Sequence, residues 1–315
     1  MRKILIITGS RADRSPLEPV LTALLKTGGC FVTRLDTTGL WGHENGIREE
    51  LEREKPDFVL LLGDRYETLV AASVCTLMCV PICHIHGGEE TVGAVDNGFR
   101  HAITKLSYYH FAIHEDYAKR IIQMGESPDR VFVTGAPGVD QYAEVGMTRA
   151  AIEAELGIEL KSPVALVCVH PETLGADSFS WLEDLKLFDT LIISGANADP
   201  GGESINKFWQ GWRGRSDRSA FRPSYGQRLW TSLMREADVL IGNSSCFILE
   251  GFTLGKEVIN IGDRQKGRYE EALKHFADNP YAYGKPGEVS PKIAELLLTL
   301  PIPDMPRKEF RDIAY

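Results

Sequence analysis

Short apolar runs alternate with amphipathic stretches along the first half of the chain. Apolar runs rich in β-branched residues predict strands at 3–8, 31–36, 58–63, 81–86, 109–113 and 130–135. Stretches with helical periodicity lie between them, at 16–26, 44–55, 66–79, 96–107 and 114–124. Because strands that alternate with helices form βαβ units, this half of the chain predicts a parallel sheet that is covered on both faces.

The same pattern begins again after GIELKSPV (157–164), a segment that contains glycine and proline. Further strands are predicted at 165–170, 190–195, 238–243 and 257–262, with helices at 178–186, 226–236, 246–254 and 290–299. The polar, glycine-rich segment 196–225 fits neither pattern. We therefore expect an α/β fold of two Rossmann-like, doubly wound domains, 1–160 and 161–315. A ligand cleft is expected between them, at the carboxyl ends of the strands.

Composition and charge narrow the possible functions. The chain has 315 residues, of which 43% are hydrophobic and 25% charged, as is ordinary for a globular enzyme. Its net charge of −9 argues against general nucleic-acid binding. The longest apolar run, at 58–62, is too short to span a bilayer, and the short apolar run near the N-terminus is too short for a secretory signal. We therefore expect a cytoplasmic protein that binds neither nucleic acid nor membrane.

The cysteines favour a reduced, metal-free interpretation. Most of the six lie in apolar surroundings: Cys30, Cys75, Cys79, Cys83, Cys168 and Cys246. Cys75, Cys79 and Cys83 are spaced by four residues, but Pro81 separates the last of them from a shared helix. Because no CxxC pair accompanies them, buried reduced thiols are a better interpretation than a zinc site.

Glycines and polar residues follow the predicted strands. In TGSRADRSP (8–16), neither GxGxxG nor GxxxxGK[ST] is present, which removes the usual dinucleotide-binding and P-loop interpretations. Arg11 is a candidate phosphate ligand in this turn. Ser15 is either a second ligand or the N-cap of a helix that begins at Pro16, and the sequence does not separate these two possibilities.

A second candidate anion site follows the strand at 238–243. In GNSS, Ser244 and Ser245 precede a predicted helix, where main-chain N–H groups can bind a pyrophosphate. Capping of the helix explains one of the two hydroxyls but not obviously both. Glu250 lies within the apolar run CFILEGF, where a carboxylate is unusual. It is either a partner for ribose hydroxyls or part of a solvated helix face.

Three carboxylates lie at or just beyond adjacent strand ends. Asp64, Glu89 and Asp96 are predicted to converge, and closely spaced carboxylates suit acid and base chemistry near neutral pH. Each acid alone is readily explained as a solvated loop residue, but the three together, with histidines at His84, His86 and His170, favour a site. A metal site on His84 and His86 is disfavoured, because His-x-His on a strand supplies no clear third ligand.

Taken in series, these motifs resemble a known family. LGDRYE, HIHGGE with an aspartate seven residues later, FRHAITKLSYYHFAIHEDYAKRIIQMGE, HPET, NAD, IGNSS and INIGDRQKGR are similar to the hydrolysing UDP-N-acetylglucosamine 2-epimerases. The resemblance is strongest to the bacterial branch that serves sialic acid, legionaminic acid and related nonulosonic acid synthesis, and it extends from about residue 4 to 285. It implies a GT-B-type fold, a homodimer, a nucleotide-sugar substrate, and neither metal nor NAD as cofactor.

The resemblance also implies a reaction and roles for individual residues. UDP is eliminated in an anti sense across C1–C2 of the sugar, and water adds to the resulting glycal to give N-acetylmannosamine and UDP. Asp64, Glu89 and Asp96 match the acid/base group, without indicating which removes the C2 proton. His170 matches a residue that lies near the diphosphate and assists its departure. The remaining nucleotide-binding matches are Arg11, Ser15, Arg65, Asn197, Ser244, Ser245, Glu250 and Arg264.

Some departures leave the substrate open. Arg14 stands where relatives often have an aromatic residue, and the segments 37–56 and 171–237 are short for the family. A UDP-linked diacetamido sugar or a GDP-linked sugar is therefore an alternative to UDP-N-acetylglucosamine. Two other functions are compatible with the same fold: a GT-B glycosyltransferase, which the group of three acids argues against, and a non-catalytic nucleotide-sugar-binding module.

Overall fold

The computed structural model describes residues 1–9, 11–37, 44–174, 180–212 and 217–312 of the chain; the side chains of Arg11, Ala12, Ser180 and Asp184 lie outside this description. The chain divides into two compact units. The first comprises Met1–Glu89, Asp96–Gln141 and Tyr283–Tyr315, and the second comprises Glu90–Val95 and Tyr142–Ala282. None of the helices in the described ranges is long and apolar enough to cross a membrane.

The regular elements alternate between strand and helix. The strands are β1 (Arg2–Thr8), β2 (Cys30–Asp36), β3 (Phe58–Leu62), β4 (Ile82–Ile85), β5 (Tyr109–Ala112), β6 (Val131–Val133), β7 (Val164–Cys168), β8 (Thr190–Ser194), β9 (Ser219–Arg222), β10 (Val239–Gly242) and β11 (Glu257–Asn260). The α-helices are α1 (Arg11–Thr27), α2 (Glu44–Glu54), α3 (Tyr66–Leu77), α4 (Asp96–Leu106), α5 (Glu115–Gln123), α6 (Arg149–Leu156), α7 (Gly202–Trp212), α8 (Gly226–Glu236), α9 (Arg268–Asp278) and α10 (Val289–Thr299).

The first unit is built on a six-stranded parallel sheet in the order β2-β1-β3-β4-β5-β6. The central strands β3, β4 and β5 are buried at every position, which explains their continuous apolar sequence. Because all strands are parallel, the loops after β3 and β4 leave the sheet at the same edge. This edge carries Asp64 and Glu89.

The second unit is built on a five-stranded parallel sheet in the order β11-β10-β7-β8-β9. Strands β7 and β8 are again buried throughout. Two apolar clusters cover the two faces of this sheet, one around Leu166 and Leu240 and the other around Val167 and Trp209. The predicted α/β architecture with two parallel sheets is therefore confirmed.

The division of the chain differs from the predicted boundary at residue 160. Tyr142, Ile152 and Leu160 belong to the apolar core of the second unit, so that unit begins earlier. The C-terminal segment returns to the first unit, where α10 packs on α1 and Arg2 Nη1 donates to the Leu297 carbonyl (2.9 Å). The prediction that 161–315 forms one continuous domain was wrong because α10 completes the other sheet's helical layer.

Several predicted elements are corrected in the second unit. The segment 196–225, to which no element was assigned, contains α7 and β9, and the predictions also omitted α9. The helix predicted at 178–186 is a 3₁₀ helix, Ser180–Leu187, and the one at 246–254 contains a five-residue π-helix, Phe247–Gly251. All six cysteines are free, but only Cys75, Cys83 and Cys168 are buried; Cys30 and Cys246 are half-buried, and Cys79 is exposed.

Candidate active site

The loop after β4 places Glu89 in the interior of the first unit. His86 and Gly88 both have positive φ, +66° and +80°, and together they turn the chain sharply. A Cβ at Gly88 would lie 2.3 Å from the Tyr117 carbonyl oxygen, so only glycine fits there. The Glu89 side chain is completely buried, and its Oε1 lies 2.6 Å from His86 Nδ1.

Arg100 connects the two loops that carry Asp64 and Glu89. This fully buried residue of α4 contacts the Asp64 carboxylate through Nη2. Its Nη1 donates to the Glu89 carbonyl oxygen (2.9 Å) and to Asn97 Oδ1 (3.0 Å). Arg100 belongs to the FRHAITKLS motif, and no role was predicted for it. Arg100 thus links the Asp64 carboxylate to the main chain of Glu89, and the convergence of the two carboxylates on one site stays a prediction.

Asp96 is the first residue of α4 and is half-buried. It lies four residues before Arg100, which is about one helical turn, so the two share a face of the helix. A carboxylate in the first turn also interacts favourably with the helix dipole. The position of Asp96 is consistent with the predicted acid group, and its membership of that group stays a prediction.

His84 supports the loop before Asp64. Its ring is fully buried, with Nε2 2.7 Å from the Gly63 carbonyl oxygen and Nδ1 3.4 Å from Thr104 Oγ1. Burial, which disfavours the charged ring, lowers the pKa of His84 to about 3. The neutral ring therefore donates from Nε2 to Gly63 and fixes the residue that precedes Asp64.

The turn after β1 differs from its prediction. Helix α1 begins at Arg11, not at Pro16, and Asp13 Oδ2 accepts a hydrogen bond from the Gly9 main chain (3.1 Å). Ser15 lies inside this helix, so the interpretation of Ser15 as its N-cap was wrong. Its hydroxyl donates to Gln141 Oε1 (2.9 Å). Arg11 is the first residue of the helix, and its side chain lies outside the described residues.

Arg65 follows Asp64 and occupies the N-cap position of α3. Its guanidinium Nε is 3.5 Å from Glu67 Oε2, and both side chains are largely buried. The structure thus places Arg65 beside Asp64 at the sheet edge, and its role in nucleotide binding stays a prediction.

In the second unit, His170 is held at the end of β7 by two asparagines. Asn243 accepts from the His170 main-chain N–H (2.7 Å) and donates to its carbonyl oxygen (2.9 Å). The Asn197 main-chain N–H donates to His170 Nδ1 (3.1 Å), so in the neutral ring the proton lies on Nε2. Asn243 belongs to the IGNSS motif, and no role was predicted for it; the structure identifies it as the residue that positions His170.

Arg264 extends this group. The residue is almost completely buried, with Nη1 donating to the Pro171 carbonyl oxygen and Nη2 to Asp199 Oδ2, both at 2.8 Å. The Asn197 side chain donates to the same carboxylate (2.7 Å). Asp199 therefore joins Asn197 to Arg264, and the Asn197 main chain joins His170 to this group; all three are predicted site residues. Asp199 belongs to the NAD motif, and only its place in that motif indicated a functional role from the sequence.

Ser244, Ser245 and Glu250 lie along the turn that follows β10. Ser244 Oγ is 3.1 Å from Cys246 Sγ, and Ser245 is half-buried. Glu250 is 5% exposed and accepts a hydrogen bond from the Tyr142 hydroxyl (2.9 Å), so the interpretation as a solvated helix face was wrong. Burial raises the pKa of Glu250 to about 7.

The loop 261–268 supports the same region. Gln265 donates to the Asn243 carbonyl oxygen (3.2 Å) and accepts from Arg268 Nη1 (2.8 Å). The segment 90–95 packs on this loop: Thr91 forms a β-bridge with Gly267, and the Val92 main-chain N–H donates to the Lys266 carbonyl oxygen (3.1 Å). The GDRQKGR motif thus serves partly to hold the segment that joins Glu89 to Asp96.

Comparisons with known proteins identify the family. The family described as UDP-N-acetylglucosamine 2-epimerase matches residues 41–282. This chain belongs to that family. It is 40% identical over 233 residues to GDP/UDP-N,N'-diacetylbacillosamine 2-epimerase (hydrolyzing) of Campylobacter jejuni, a match that covers 71% of this chain and 61% of that protein. The match therefore spans less than two thirds of the relative's length.

Two further relatives are matched over most of their length. UDP-N,N'-diacetylbacillosamine 2-epimerase (hydrolyzing) of Legionella pneumophila is 33% identical over 318 residues, with 85% of this chain and 83% of that protein covered. Polysialic acid biosynthesis protein P7 of Escherichia coli is 30% identical over 324 residues, with 86% and 81% covered. The Campylobacter and Legionella relatives are thus both named as hydrolysing 2-epimerases.

Solved structures agree on the fold. The S. aureus MnaA–UDP structure and the Neisseria meningitidis UDP-GlcNAc 2-epimerase bound to UDP-GlcNAc each have a TM-score of 0.73 with this chain. Each is 16% identical to this chain, and each match covers 94% of this chain. The matches cover 96% of the S. aureus protein and 98% of the N. meningitidis protein. At this identity the likeness concerns the fold, and it confirms the predicted GT-B-type α/β architecture.

Proposed function

We propose that this protein is a hydrolysing nucleotide-sugar 2-epimerase, in which a base removes the C2 proton of a UDP-linked acetamido sugar and the C1–O bond breaks. The leaving UDP takes the bonding electrons, and a C1–C2 double bond forms. Water then adds its hydroxyl to C1, and C2 receives a proton on the opposite face, so the products are the free 2-epimer and UDP. The observation that carries this proposal is the buried group in which Arg100 joins Asp64 to Glu89.

The first unit supplies the acid and base chemistry in this proposal. The C2 proton is only weakly acidic, so its removal needs a positioned carboxylate rather than a solvated one. Glu89 is completely buried, and Asp64 is largely shielded from water. Arg100 fixes the loops that carry both, and Asp96 completes the group at the start of the same helix. We assign the proton transfers to these three acids as a group.

The second unit binds the nucleotide and assists departure of the diphosphate. Arg264 supplies a cation whose orientation is set by Asp199 and the Pro171 carbonyl oxygen. His170 has its proton on Nε2 and is a donor for a phosphate oxygen that gains negative charge. Ser244, Ser245 and Asn197 are further donors, and Glu250 is the partner of the ribose hydroxyls. Arg11, Ser15 and Arg65 of the first unit complete the proposed nucleotide-binding residues.

The relatives support a diacetamido sugar as the substrate. Two of them are named for diacetylbacillosamine epimerisation, at 40% and 33% identity, whereas a relative named as a UDP-N-acetylglucosamine 2-epimerase, from Neisseria meningitidis serogroup B, is 30% identical. Arg14, half-exposed and 4.0 Å from Asp36 Oδ2, is a candidate contact for the additional substituent. Assembly as a homodimer in the cytoplasm, with a role in legionaminic or sialic acid synthesis, belongs to the same proposal.

The test is to incubate the protein in D₂O with UDP-N-acetylglucosamine, a UDP-linked diacetamido sugar and its GDP-linked analogue. We expect free nucleotide and a 2-epimer that carries deuterium at C2, both detected by NMR. Asp64→Asn and Glu89→Gln should abolish both signals, whereas Glu49→Gln, an exposed acid on α2, should leave them unchanged. Intact nucleotide sugar without exchange for every substrate would refute the proposal. Transfer of the sugar to an added acceptor instead of water would favour a glycosyltransferase.

A further inference from the structure

His86 forms a buried pair with Glu89, and the proposed reaction assigns a role only to the glutamate. The ring is 5% exposed, and its Nδ1 is 2.6 Å from Glu89 Oε1. At this distance one proton lies between the two atoms, and a neutral ring that carries it on Nδ1 donates to the ionised carboxylate. The two residues lie three positions apart in the same loop.

The backbone at His86 is adapted to this contact. Its φ of +66° lies in the left-handed region, which histidine, asparagine and aspartate adopt more readily than other non-glycine residues. This conformation turns the chain so that the side chain of residue 89 returns to the ring of residue 86. A residue held in an uncommon conformation at a candidate active site is an indication of function when its contacts are as specific as this one.

The main chain around Glu89 is fixed independently of His86. Arg100 Nη1 donates to the Glu89 carbonyl oxygen (2.9 Å), and Arg120 Nη1 donates to the Gly88 carbonyl oxygen. Arg120 also lies over the Tyr117 ring, 5.7 Å from its centroid. Two arginines thus hold the peptide groups on either side of residue 89, and the contact with His86 acts on the carboxylate itself.

We propose that His86 is a positioning residue for Glu89: its Nδ1–H donates to Oε1 and sets the orientation of the carboxylate that takes part in proton transfer. This inference rests on the proposed function, because it assigns Glu89 to the reaction. A misplaced acid or base group lowers the rate of the chemical step, while binding of the nucleotide, which involves the second unit, is unaffected. The effect of losing the contact should therefore appear in kcat and not in KM.

The matched variants are His86→Asn and His86→Asp. Both residues tolerate positive φ and have nearly the same size, and an asparagine amide nitrogen can replace Nδ1, whereas an aspartate offers no donor unless it is protonated. We expect His86→Asn to retain kcat within about 10-fold, and His86→Asp to lower it by about 100-fold with KM and the Kd for UDP unchanged within about twofold. His86→Gly, which also accepts positive φ but has no donor, should resemble His86→Asp.

A second buried pair provides a control for purely structural effects. His110 Nε2 is 3.1 Å from Glu126 Oε2, and both side chains are completely or almost completely buried. His110→Ala should lower the thermal midpoint but leave kcat per folded molecule unchanged. The thermal midpoint of each His86 variant is measured alongside, and if His86→Asp does not fold, the comparison is made between His86→Asn and His86→Gly.

The outcomes separate this inference from the proposed function. If the wild-type protein releases nucleotide and His86→Gly or His86→Asp does so at the wild-type kcat, His86 does not position Glu89, while the proposed function stands. A His86→Asn variant that loses as much activity as His86→Asp would equally overturn the inference, because the restored donor would then have no effect. If instead Glu89→Gln is fully active, the assignment of Glu89 fails, and with it the acid/base part of the proposed function.

Discussion

The guanidinium of Arg100 contacts the carboxylate of Asp64 with one nitrogen and the main-chain oxygen of Glu89 with another. Arg100 is fully buried, whereas the Asp64 side chain is 21% exposed. One side chain on α4 therefore fixes the loop after β3 to the loop after β4. This contact fixes the spacing of the two loops that carry the acids, as the proposed proton transfer at C2 requires.

Replacement of Arg100 should therefore impair both catalysis and folding. Arg100→Met leaves Asp64 without its buried cation, so we expect the free energy of unfolding to fall by about 3 kcal/mol in urea titrations. Arg100→Lys keeps the charge, but a single ammonium group at the end of a flexible chain does not reproduce the two-pronged contact, and kcat should fall by about 100-fold.

Arg53→Lys is the control for this prediction. Arg53 pairs with Glu50 and Glu54, and its own side chain is 67% exposed. Solvent screens such a pair, so stability and kcat should both stay near the wild-type values. Wild-type turnover by Arg100→Lys would show that the spacing of the two acids does not depend on the guanidinium.

The sequence predicted the buried strands and the acids that follow them, because both signals are local. A run such as FVLLL is apolar throughout only when both faces of the sheet are covered, and the polar residue after it marks the strand end. Arg100 was not predicted as the link, because a long side chain on the following helix reaches back to two loops. That contact depends on tertiary distances that no sequence spacing encodes.

The second unit shows the same limit. Helix α7 buries Ile205 and Trp209, which are four residues apart. The polar and glycine residues around them obscure this helical periodicity of apolar positions in the sequence. Asp199 stood in a recognised motif, yet its role as the joint acceptor of Asn197 and Arg264 follows only from the folded loop. Glu250 was ambiguous because a carboxylate in an apolar run is compatible with either face of a helix, and only the Tyr142 contact decided it.

Asp199→Asn should weaken UDP binding. The substitution removes the charge that orients Arg264 Nη2, and hydrogen bonds to charged groups contribute about 1.5–3 kcal/mol. We expect the Kd for UDP, measured by titration calorimetry, to rise by at least about 10-fold. Asp263→Asn is the matched control, because that carboxylate is 70% exposed and its contact with Lys266 Nζ is long, at 3.8 Å. An unchanged Kd for Asp199→Asn would argue against Arg264 as a diphosphate ligand.

His84 should make the protein less stable as the pH falls. Its folded-state pKa of about 3 lies below the ordinary value of 6.5, so between these values the unfolded chain binds a proton that the folded chain does not. Stability attributable to His84 is therefore present above pH 6.5 and is lost progressively down to about pH 3. The loss between pH 7 and pH 5 is about 2 kcal/mol for this one group.

His84→Gln tests this prediction. The glutamine amide nitrogen can replace Nε2 and donate to the Gly63 carbonyl oxygen, but it does not titrate. Urea unfolding at pH 7, 6 and 5 should therefore show a smaller loss than the wild type, with similar stability at pH 7. Some loss should remain, because burial also lowers the pKa of His110. Equal losses in the two proteins would contradict the assignment of a neutral, buried His84.

Glu250 should make UDP binding depend on pH near neutrality. Burial raises the pKa of its carboxyl to about 7, while the hydrogen bond from Tyr142 acts in the opposite direction. An ionised carboxylate is the better acceptor for ribose hydroxyls, so affinity for UDP should rise between pH 6 and pH 8 through this group. Tyr142→Phe removes the hydrogen bond, which raises the pKa of Glu250 further and should move the midpoint of this rise to higher pH.

Glu250→Gln provides the baseline for that measurement, because UDP itself titrates in the same range. Calorimetric titrations of wild type, Tyr142→Phe and Glu250→Gln are compared at the same pH values, and the contribution of Glu250 is the difference from the glutamine variant. We expect Glu250→Gln to bind UDP about 10-fold more weakly than the wild type at pH 8, since a neutral amide is a weaker acceptor. If the wild type and Glu250→Gln show the same pH dependence, Glu250 does not contact the ribose.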